Sequence, residues 1–178
     1  MPVQATIIWE KIKGKTRTFG FKYSSKIEGI IKQKGLWSTE CTGTIGNREI
    51  VIKRDHLNKR YLRIYDAKSE KTLARIRVYW KDFQRNRLEF EDGKVYYFKS
   101  YDLFRGAWSW VGEDSQLEQF IFRVDGLMHR SGLIEDKSKD LSALERDVLL
   151  LLGLNLQRFY NVWLMTIAII LILIITDH

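Results

Sequence analysis

The last part of this chain is a long apolar run that the rest of the protein has to accommodate. From Val148 to Ile175 the sequence contains 28 residues, and Arg158 is the only charged residue among them. Because the burial of apolar surface is the dominant favourable term in folding, such a run has to leave water. Either the remainder of the chain encloses it or a lipid bilayer does. These two solutions lead to different functions.

The chain before this run has the pattern of many short β-strands. From residue 5 to about residue 135, segments of roughly six to nine residues alternate apolar and polar side chains. Turn residues separate them, as in the hairpin signal Glu91-Asp-Gly-Lys94, and the segment around His129 is predicted as a loop. About ten strands joined by short loops are typical of an up-and-down sheet or barrel. The predicted strands are residues 5–12, 16–23, 27–33, 37–45, 49–54, 60–65, 72–80, 87–90, 95–98, 106–111 and 119–124.

The alternation also predicts which side chains of the middle strands face outward. Inward positions are Leu62 and Ile64 on one strand and Ile76, Val78 and Trp80 on the next. Pairing the two as a hairpin brings outward arginines together, with Arg63 near Arg77, and like charges placed opposite each other cost stability. A bound anion would explain the arrangement, whereas the alternative is that Glu70, Glu89 and Glu91 neutralise this face. The predicted anion-binding residues are Arg63, Arg75, Arg77, Arg85 and Arg87.

A barrel of about ten strands can enclose the first half of the apolar run. Its lumen would be too wide for inward side chains to fill, since about eight strands already make a filled barrel. Ser142 followed by Glu145 is a capping box that can start a helix, and the helix is apolar on every side as far as Leu156. Gly153 would let a strand approach closely. The sequence therefore predicts a mainly β fold, an antiparallel many-stranded closed barrel enclosing a hydrophobic C-terminal helix at about 142–160.

Three segments give the chain a resemblance to a known family. They are Arg63-Ile-Tyr-Asp-Ala-Lys68 before Leu73-Ala-Arg-Ile, Val124-Asp-Gly with Gly132-Leu-Ile, and Leu149-Leu-Leu-Leu-Gly-Leu-Asn-Leu156. With the strand meander, they resemble the tubby-like C-terminal superfamily, which includes LURP-one-related and phospholipid scramblase proteins. The resemblance covers residues 5–160 and implies a tubby-like barrel around a central helix, with a lipid-interacting role.

The chain also departs from that family. Scramblases have a proline-rich head, clustered cysteines and an acidic calcium segment, whereas Pro2 and Cys41 stand alone here. Tubby proteins bind phosphoinositides through a surface Lys/Arg pair, but no local motif assigns that pair to particular residues of this chain.

The end of the apolar run needs a separate explanation. Residues 162–175 have one hydroxyl, on Thr166, and no charge, and as a helix they would span about 21 Å. A helix over 159–176 would span about 27 Å, close to a hydrocarbon core of about 30 Å. Tyr160 and Trp163 would then be interfacial aromatics, and Arg158 would lie on the side of the body. We predict that the tail, residues 161–178, is a membrane anchor; the alternative is a tail buried in the protein or in an oligomer.

The net charge of the chain and its predicted cellular compartment agree with a membrane partner. The net charge is +8, and residues 1–140 carry all of the basic excess, which favours an anionic partner. The first residues lack a basic segment followed by an apolar one, so we predict no signal peptide and a cytoplasmic body. A single cysteine, Cys41, is compatible with a reducing compartment.

The sequence contains no recognisable catalytic or metal-binding motif. Phosphate-binding loops ending in Lys-Ser or Lys-Thr, His-Glu-x-x-His and Gly-x-Ser-x-Gly are all missing. Cys41 could pair with His56 or His129 as a nucleophile, but its position in a predicted strand favours a buried thiol. We therefore predict no catalytic residue, no metal and no cofactor.

The favoured function is that of a non-enzymatic, membrane-associated module that binds anionic phospholipid headgroups or acts as a membrane-proximal interaction domain. The alternatives are scramblase-like lipid transport and nucleic-acid binding through the basic face, with nucleic acid the less favoured partner. A hydrolase that uses Cys41 is the least favoured.

Overall fold

The computed structural model describes residues 5–23, 26–79, 82, 84–102, 105–125 and 130–176. They form twelve strands and one helix. The elements are β1 (Ala5–Lys11), β2 (Thr18–Tyr23), β3 (Lys26–Gln33), β4 (Cys41–Ile45), β5 (Arg48–Arg54), β6 (Tyr61–Asp66), β7 (Thr72–Arg77), β8 (Asn86–Phe90), β9 (Val95–Asp102), β10 (Ala107–Gly112), β11 (Glu118–Asp125), β12 (Ser131–Asp136) and α1 (Ala143–Thr176).

The strands form a closed antiparallel barrel in which each strand pairs with its neighbours in sequence. The sheet closes because β1 pairs with both β2 and β12, so that Trp9 lies opposite Phe21 on one side and Gly132 on the other. A Cβ on Gly132 would lie 2.7 Å from the Trp9 indole nitrogen, and only glycine leaves room for this ring, which donates to the Arg123 carbonyl at 3.3 Å. The predicted closed barrel is confirmed.

The strand number and several strand boundaries differ from the prediction. Twelve strands replace about ten, because β12 starts at Ser131 inside a segment that was predicted as loop. β4 starts at Cys41 rather than at residue 37, so Trp37 lies in a loop. Leu62, Ile64, Ile76 and Val78 are buried, which confirms their predicted inward orientation. His129 and Trp80 lie outside the described residues.

The first half of α1 fills the lumen. All residues from Val148 to Gln157 are buried, and they meet a lining of aromatic side chains. At Gly153 the helix touches the wall: an added Cβ would lie 2.3 Å from Cζ of Phe122 and 2.6 Å from Nε1 of Trp110. The Trp110 indole then donates to the Leu149 carbonyl at 2.8 Å. The close approach predicted for Gly153 is confirmed, and its reason is the aromatic wall.

The helix is held where it begins by the predicted capping box. The backbone N–H of Ser142 donates to Glu145 at 2.9 Å, and the backbone N–H of Glu145 donates to the Ser142 hydroxyl at 3.2 Å. Ion pairs join the first turns to the barrel wall, from Arg48 to Asp147 and from Arg146 to Asp136. We call this end of the barrel the base; it carries the connections after the even-numbered strands and the segment before α1.

The enclosed part of α1 extends slightly further than predicted. Phe159, Tyr160 and Asn161 are buried inside the barrel, and the helix then continues without a break to Thr176. Tyr160 stacks on Trp108, with ring centroids 4.8 Å apart, and donates to Asn86 at 2.8 Å. The prediction that Tyr160 is an interfacial aromatic is therefore wrong, because its ring belongs to the core.

Candidate functional site

The second half of α1 leaves the barrel with its apolar side chains exposed. From Ile169 to Ile175, seven consecutive side chains are 50% to 74% exposed. Seven residues make about two helical turns, so these side chains cover every face of the helix. The whole helix is long and apolar enough to cross a membrane by length and composition, although a core helix can pass the same test. Residues 162–176, which follow the last buried residue of α1, extend about 22 Å, and Leu164 near their start still packs against the core.

α1 leaves the barrel at the end opposite the base, which we call the mouth. Because all neighbours are antiparallel, the connections after the odd-numbered strands lie at the mouth. Contacts of α1 agree with this: Gln157 donates to the Gly106 carbonyl after β9 at 3.1 Å, and Tyr160 donates to the Tyr79 carbonyl after β7 at 3.2 Å.

Polar side chains surround α1 at the mouth. Asn155 accepts from Gln33 at 2.8 Å and donates to the Thr39 carbonyl at 2.6 Å, and Asn161 accepts from the Trp108 indole at 3.0 Å. The Arg158 guanidinium lies 3.6 Å from the ring centroid of Phe19. Burial lowers the pKa of Arg158 to about 10, so that it remains charged at neutral pH. The mouth thus carries a fixed positive charge at the point where α1 begins to emerge.

The loops of the mouth are strongly basic, and those of the base are not. Among the described residues, the mouth loops carry nine basic and three acidic side chains, whereas the base loops carry five basic and six acidic ones. All nine basic side chains of the mouth are exposed. They are Lys13, Lys15, Arg17, Lys34, Lys59, Arg60, Arg85, Arg105 and Arg130, and the acidic ones are Glu40, Asp55 and Asp82. The positive end of the barrel is therefore the end from which the apolar helix emerges.

Four of the five predicted arginines lie on the outer wall formed by β6, β7 and β8, and Arg85 directly precedes β8. Arg63 lies opposite Arg75, and Arg77 lies opposite Arg87. Arg77 lies opposite Tyr61 and is therefore a diagonal neighbour of Arg63 on the same outer face, near Arg63 but not directly opposite it. We call these five residues the arginine face. Within it, Arg77, Arg85 and Arg87 are nearest to the mouth, so they lie next to the basic loops.

Acidic residues neutralise the arginine face only in part. Arg87 pairs with Glu89 at 2.5 Å, and this hydrogen bond raises the pKa of Arg87. Arg85 pairs with Asp82 at 2.7 Å. The predicted partner Glu70 contributes its backbone carbonyl, which accepts from Arg63 at 3.3 Å. Glu89 also lies opposite Arg75, so Glu89 and Asp82 offset part of the charge of the five arginines.

Tyrosine rings accompany the cations on the same wall. The Arg77 guanidinium lies 4.7 Å from the ring centroid of Tyr79 and 6.0 Å from that of Tyr61. Arg63 lies 5.3 Å from the ring centroid of Tyr65. Stacking on a ring fixes the direction of a guanidinium while its N–H groups stay available to an anion.

No family model, curated protein or solved structure matches this chain. The geometry of the mouth, the arginine face and α1 therefore carries the functional argument.

The candidate nucleophile Cys41 is buried, and burial raises the pKa of its thiol, which disfavours the reactive thiolate. Within the described ranges, no three His, Cys, Asp or Glu residues are placed to hold a metal ion.

Sequence reasoning missed the mouth loops. The predicted site included one residue of the mouth loops, Arg85, and otherwise arginines of the central strands, while Lys13, Lys15 and Arg17 lie in the connection after β1. The signal was present in the strand order, because loops after odd-numbered strands of a meander share one end. Counting charges over those loops alone would have separated a basic end from a balanced one.

Proposed function

We propose that the protein is a membrane-anchored β-barrel module whose mouth faces an anionic lipid surface. The observation that carries the proposal is the emergence of an apolar helix, exposed on all faces, through the basic end of the barrel. Water strongly disfavours such a helix, whereas a bilayer accommodates both its side chains and its internally bonded backbone. Basic residues beside a membrane helix favour the cytoplasmic side, which supports a cytoplasmic location of the barrel.

The basic mouth and the arginine face are proposed to bind anionic phospholipid headgroups. A basic side chain near an anionic surface contributes about 1 kcal/mol. Of the nine exposed cations of the mouth, Lys34, Arg85 and Arg105 are paired with carboxylates, and the other six can together provide a substantial attraction. Arg77 and Arg87 lie opposite each other, and although Arg87 pairs with Glu89, a headgroup phosphate placed between the two guanidinium groups would relieve their remaining repulsion.

We also propose that the chain is a distant relative of the tubby-like superfamily, including its LURP-one-related and scramblase branches. Support comes from the architecture on which the resemblance rests, a closed antiparallel barrel around an apolar C-terminal helix. We disfavour scramblase-like transport, because α1 fills the lumen and its exposed half offers lipid headgroups few polar groups. Nucleic-acid binding by the arginine face is the second alternative, and the test below distinguishes it from headgroup binding.

The test compares the natural chain with a tail variant that carries Ile170→Gln, Leu171→Gln and Ile174→Gln. These three residues lie outside the barrel, so the fold should be unaffected, and glutamine adds no charge. A matched control exchanges the same positions for other aliphatic residues: Ile170→Leu, Leu171→Ile and Ile174→Leu. The measurement is flotation with vesicles of neutral phosphatidylcholine or of phosphatidylcholine mixed with phosphatidylserine.

The natural chain and the aliphatic control should float with both kinds of vesicle. The tail variant should float only with the anionic vesicles, and only at low salt, because screening weakens interactions between exposed charges. A natural chain that stays monodisperse in water without floating would overturn the anchor. Salt-sensitive binding of the tail variant to single-stranded RNA, without binding to anionic vesicles, would replace the headgroup proposal with nucleic-acid binding.

A further inference from the structure

We infer that the mouth carries a second membrane contact besides α1, an apolar wedge formed by Leu36, Trp37 and Leu57. The wedge inserts between the lipid headgroups and holds the barrel upright with its mouth against the bilayer. This inference rests on the proposed membrane anchor and adds to it a defined position of the barrel relative to the bilayer.

The three wedge residues are exposed to a degree that folding does not require. Leu57 is 99% exposed, Trp37 51% and Leu36 48%. Leu36 and Trp37 lie in the connection between β3 and β4, and Leu57 lies in the connection between β5 and β6. Full exposure of a leucine forgoes about 1.5–3 kcal/mol of burial, so its place at a loop tip favours a partner that can bury it.

The two loops are neighbours at the mouth. The Glu40 side chain, in the first loop, accepts from the backbone N–H of Arg54, the last residue before the second loop, at 3.2 Å. The Glu40 backbone carbonyl also accepts from the Lys34 N–H at 3.0 Å, which closes the first loop. The wedge residues thus belong to two adjoining, internally bonded loop tips on one side of α1.

The chemistry around the wedge matches the boundary between headgroups and acyl chains. Lys34, Lys59 and Arg60 flank the apolar residues, and all three are exposed, with Lys34 paired to Glu40 at 2.7 Å. Tryptophan favours the interface because its ring is apolar and its N–H can reach a polar partner. Lysine and arginine beside it can contact phosphates while their methylene chains remain in the apolar layer.

Single exposed apolar residues are common on soluble proteins, so the distribution between the two ends is informative. Among the described loops of the base, Leu117 is the large hydrophobic residue that is comparably exposed, at 60%. The base has balanced charge, whereas the mouth combines three such residues with the basic loops and α1. This asymmetry favours a lipid surface as the occupant.

The length of α1 outside the barrel gives a further argument. Residues 162–176 extend about 22 Å, less than a hydrocarbon core of about 30 Å. A barrel held away from the headgroups would leave part of the core unmatched, whereas a mouth pressed into the interface reduces this mismatch. The wedge residues provide the apolar surface for this contact between the mouth and the interfacial layer of the bilayer.

The experiment places one bimane label at a time in the full-length chain reconstituted into vesicles that contain phosphatidylserine. The labelled variants are Trp37→Cys and Leu57→Cys for the wedge, Leu117→Cys as the matched exposed position at the base, and Ile172→Cys within α1. Cys41 is buried with a raised thiol pKa, so that labelling at neutral pH goes to the introduced cysteine. Lipids that carry a nitroxide at a shallow or a deep acyl position serve as quenchers.

We expect the shallow nitroxide to quench the labels at positions 37 and 57, with a blue shift of their emission, and to leave the label at 117 unaffected. The label at 172 should respond to the deep nitroxide. If the labels at 37 and 57 behave like the one at 117 while 172 is quenched, the wedge is wrong and the anchor stands. If 172 is unquenched as well, the anchor itself is wrong.

Discussion

Glu145 at the base provides a test of how α1 is fixed in the barrel. Its carboxylate accepts hydrogen bonds from the Ser142 N–H at 2.9 Å, from the Lys94 ammonium at 2.9 Å and from the Tyr96 hydroxyl at 2.8 Å. All three partners are donors, and the side chain is only 2% exposed. We predict that Glu145→Gln destabilises the folded state, because an amide has one acceptor and its NH₂ group would face a donor.

The magnitude follows from the pKa of this carboxyl. Burial alone would raise the pKa, but the bonds from Ser142, Lys94 and Tyr96 outweigh it and bring the value from its ordinary 4.5 to about 2. This lowering corresponds to about 3 kcal/mol at neutral pH. Lys94 is half-exposed, so solvent screening reduces its share, and about 2 kcal/mol is a fair expectation for the net effect.

The sign of the pH dependence follows from the same pKa. The folded state binds a proton at Glu145 less readily than the unfolded state, so this stabilisation is complete above about pH 4.5. It is lost as the pH falls from about 4.5 towards about 2. The natural chain should therefore lose about 2 kcal/mol over this range in addition to the loss from its other carboxylates, and Glu145→Gln should lack that part.

The assay is guanidinium unfolding in detergent micelles, followed by the fluorescence of the buried tryptophans, at several pH values. Glu91→Gln, on the β8–β9 hairpin, is the matched control and should keep the pH profile of the natural chain. Parallel loss of stability in the natural chain and in Glu145→Gln between pH 4.5 and 2 would refute the reasoning.

Three further changes have defined expectations. Gly153→Ala should destabilise the barrel by about 1–3 kcal/mol in guanidinium unfolding, despite the better helix propensity of alanine, because the added Cβ meets the ring of Phe122. Adding Phe122→Leu to this variant should restore part of the lost stability. Asn155→Leu should cost about 2–4 kcal/mol because Gln33 and the Thr39 carbonyl lose their buried partner, whereas Leu156→Met should cost under about 1.5 kcal/mol. In the tail variant, the double substitution Arg77→Gln and Arg87→Gln should weaken co-sedimentation with anionic vesicles roughly tenfold. The control substitutions Lys68→Gln and Lys71→Gln, at the base, should leave the co-sedimentation unchanged. Equal losses from both pairs would contradict a specific role of the arginine face.

The sequence predicted the structure correctly where the signal depended only on residues close to one another in the chain. Alternation in β6 and β7 identified Leu62, Ile64 and Ile76 as inward, and the capping box located the start of α1, because these features depend on neighbours in sequence. The enclosed helix could be predicted from volume, since a wide barrel needs an apolar filling.

Features that depend on distant contacts were missed. β12 is short, and its role depends on pairing with β1 at the other end of the chain. Alternation placed the arginines on one outer face, but the register that sets Arg63 opposite Arg75 depends on how two strands pair and cannot be read from one strand alone. Tyr160 was assigned to a membrane interface because its stacking partner, Trp108, is distant in sequence. The basic mouth was missed because its charges are spread over the loops of six hairpins, although the strand order already assigns those loops to one end of the barrel.

The central claim is that the exposed half of α1 lies in lipid, and a label scan tests it most directly. Single bimane labels at Ile169, Ile170, Leu171 and Ile172 cover one helical turn of the full-length chain in vesicles. If lipid surrounds the helix, nitroxide lipids should quench all four labels to a similar extent. Quenching confined to one side of the turn would mean that a protein surface covers the other, and no quenching at any of the four would contradict the account.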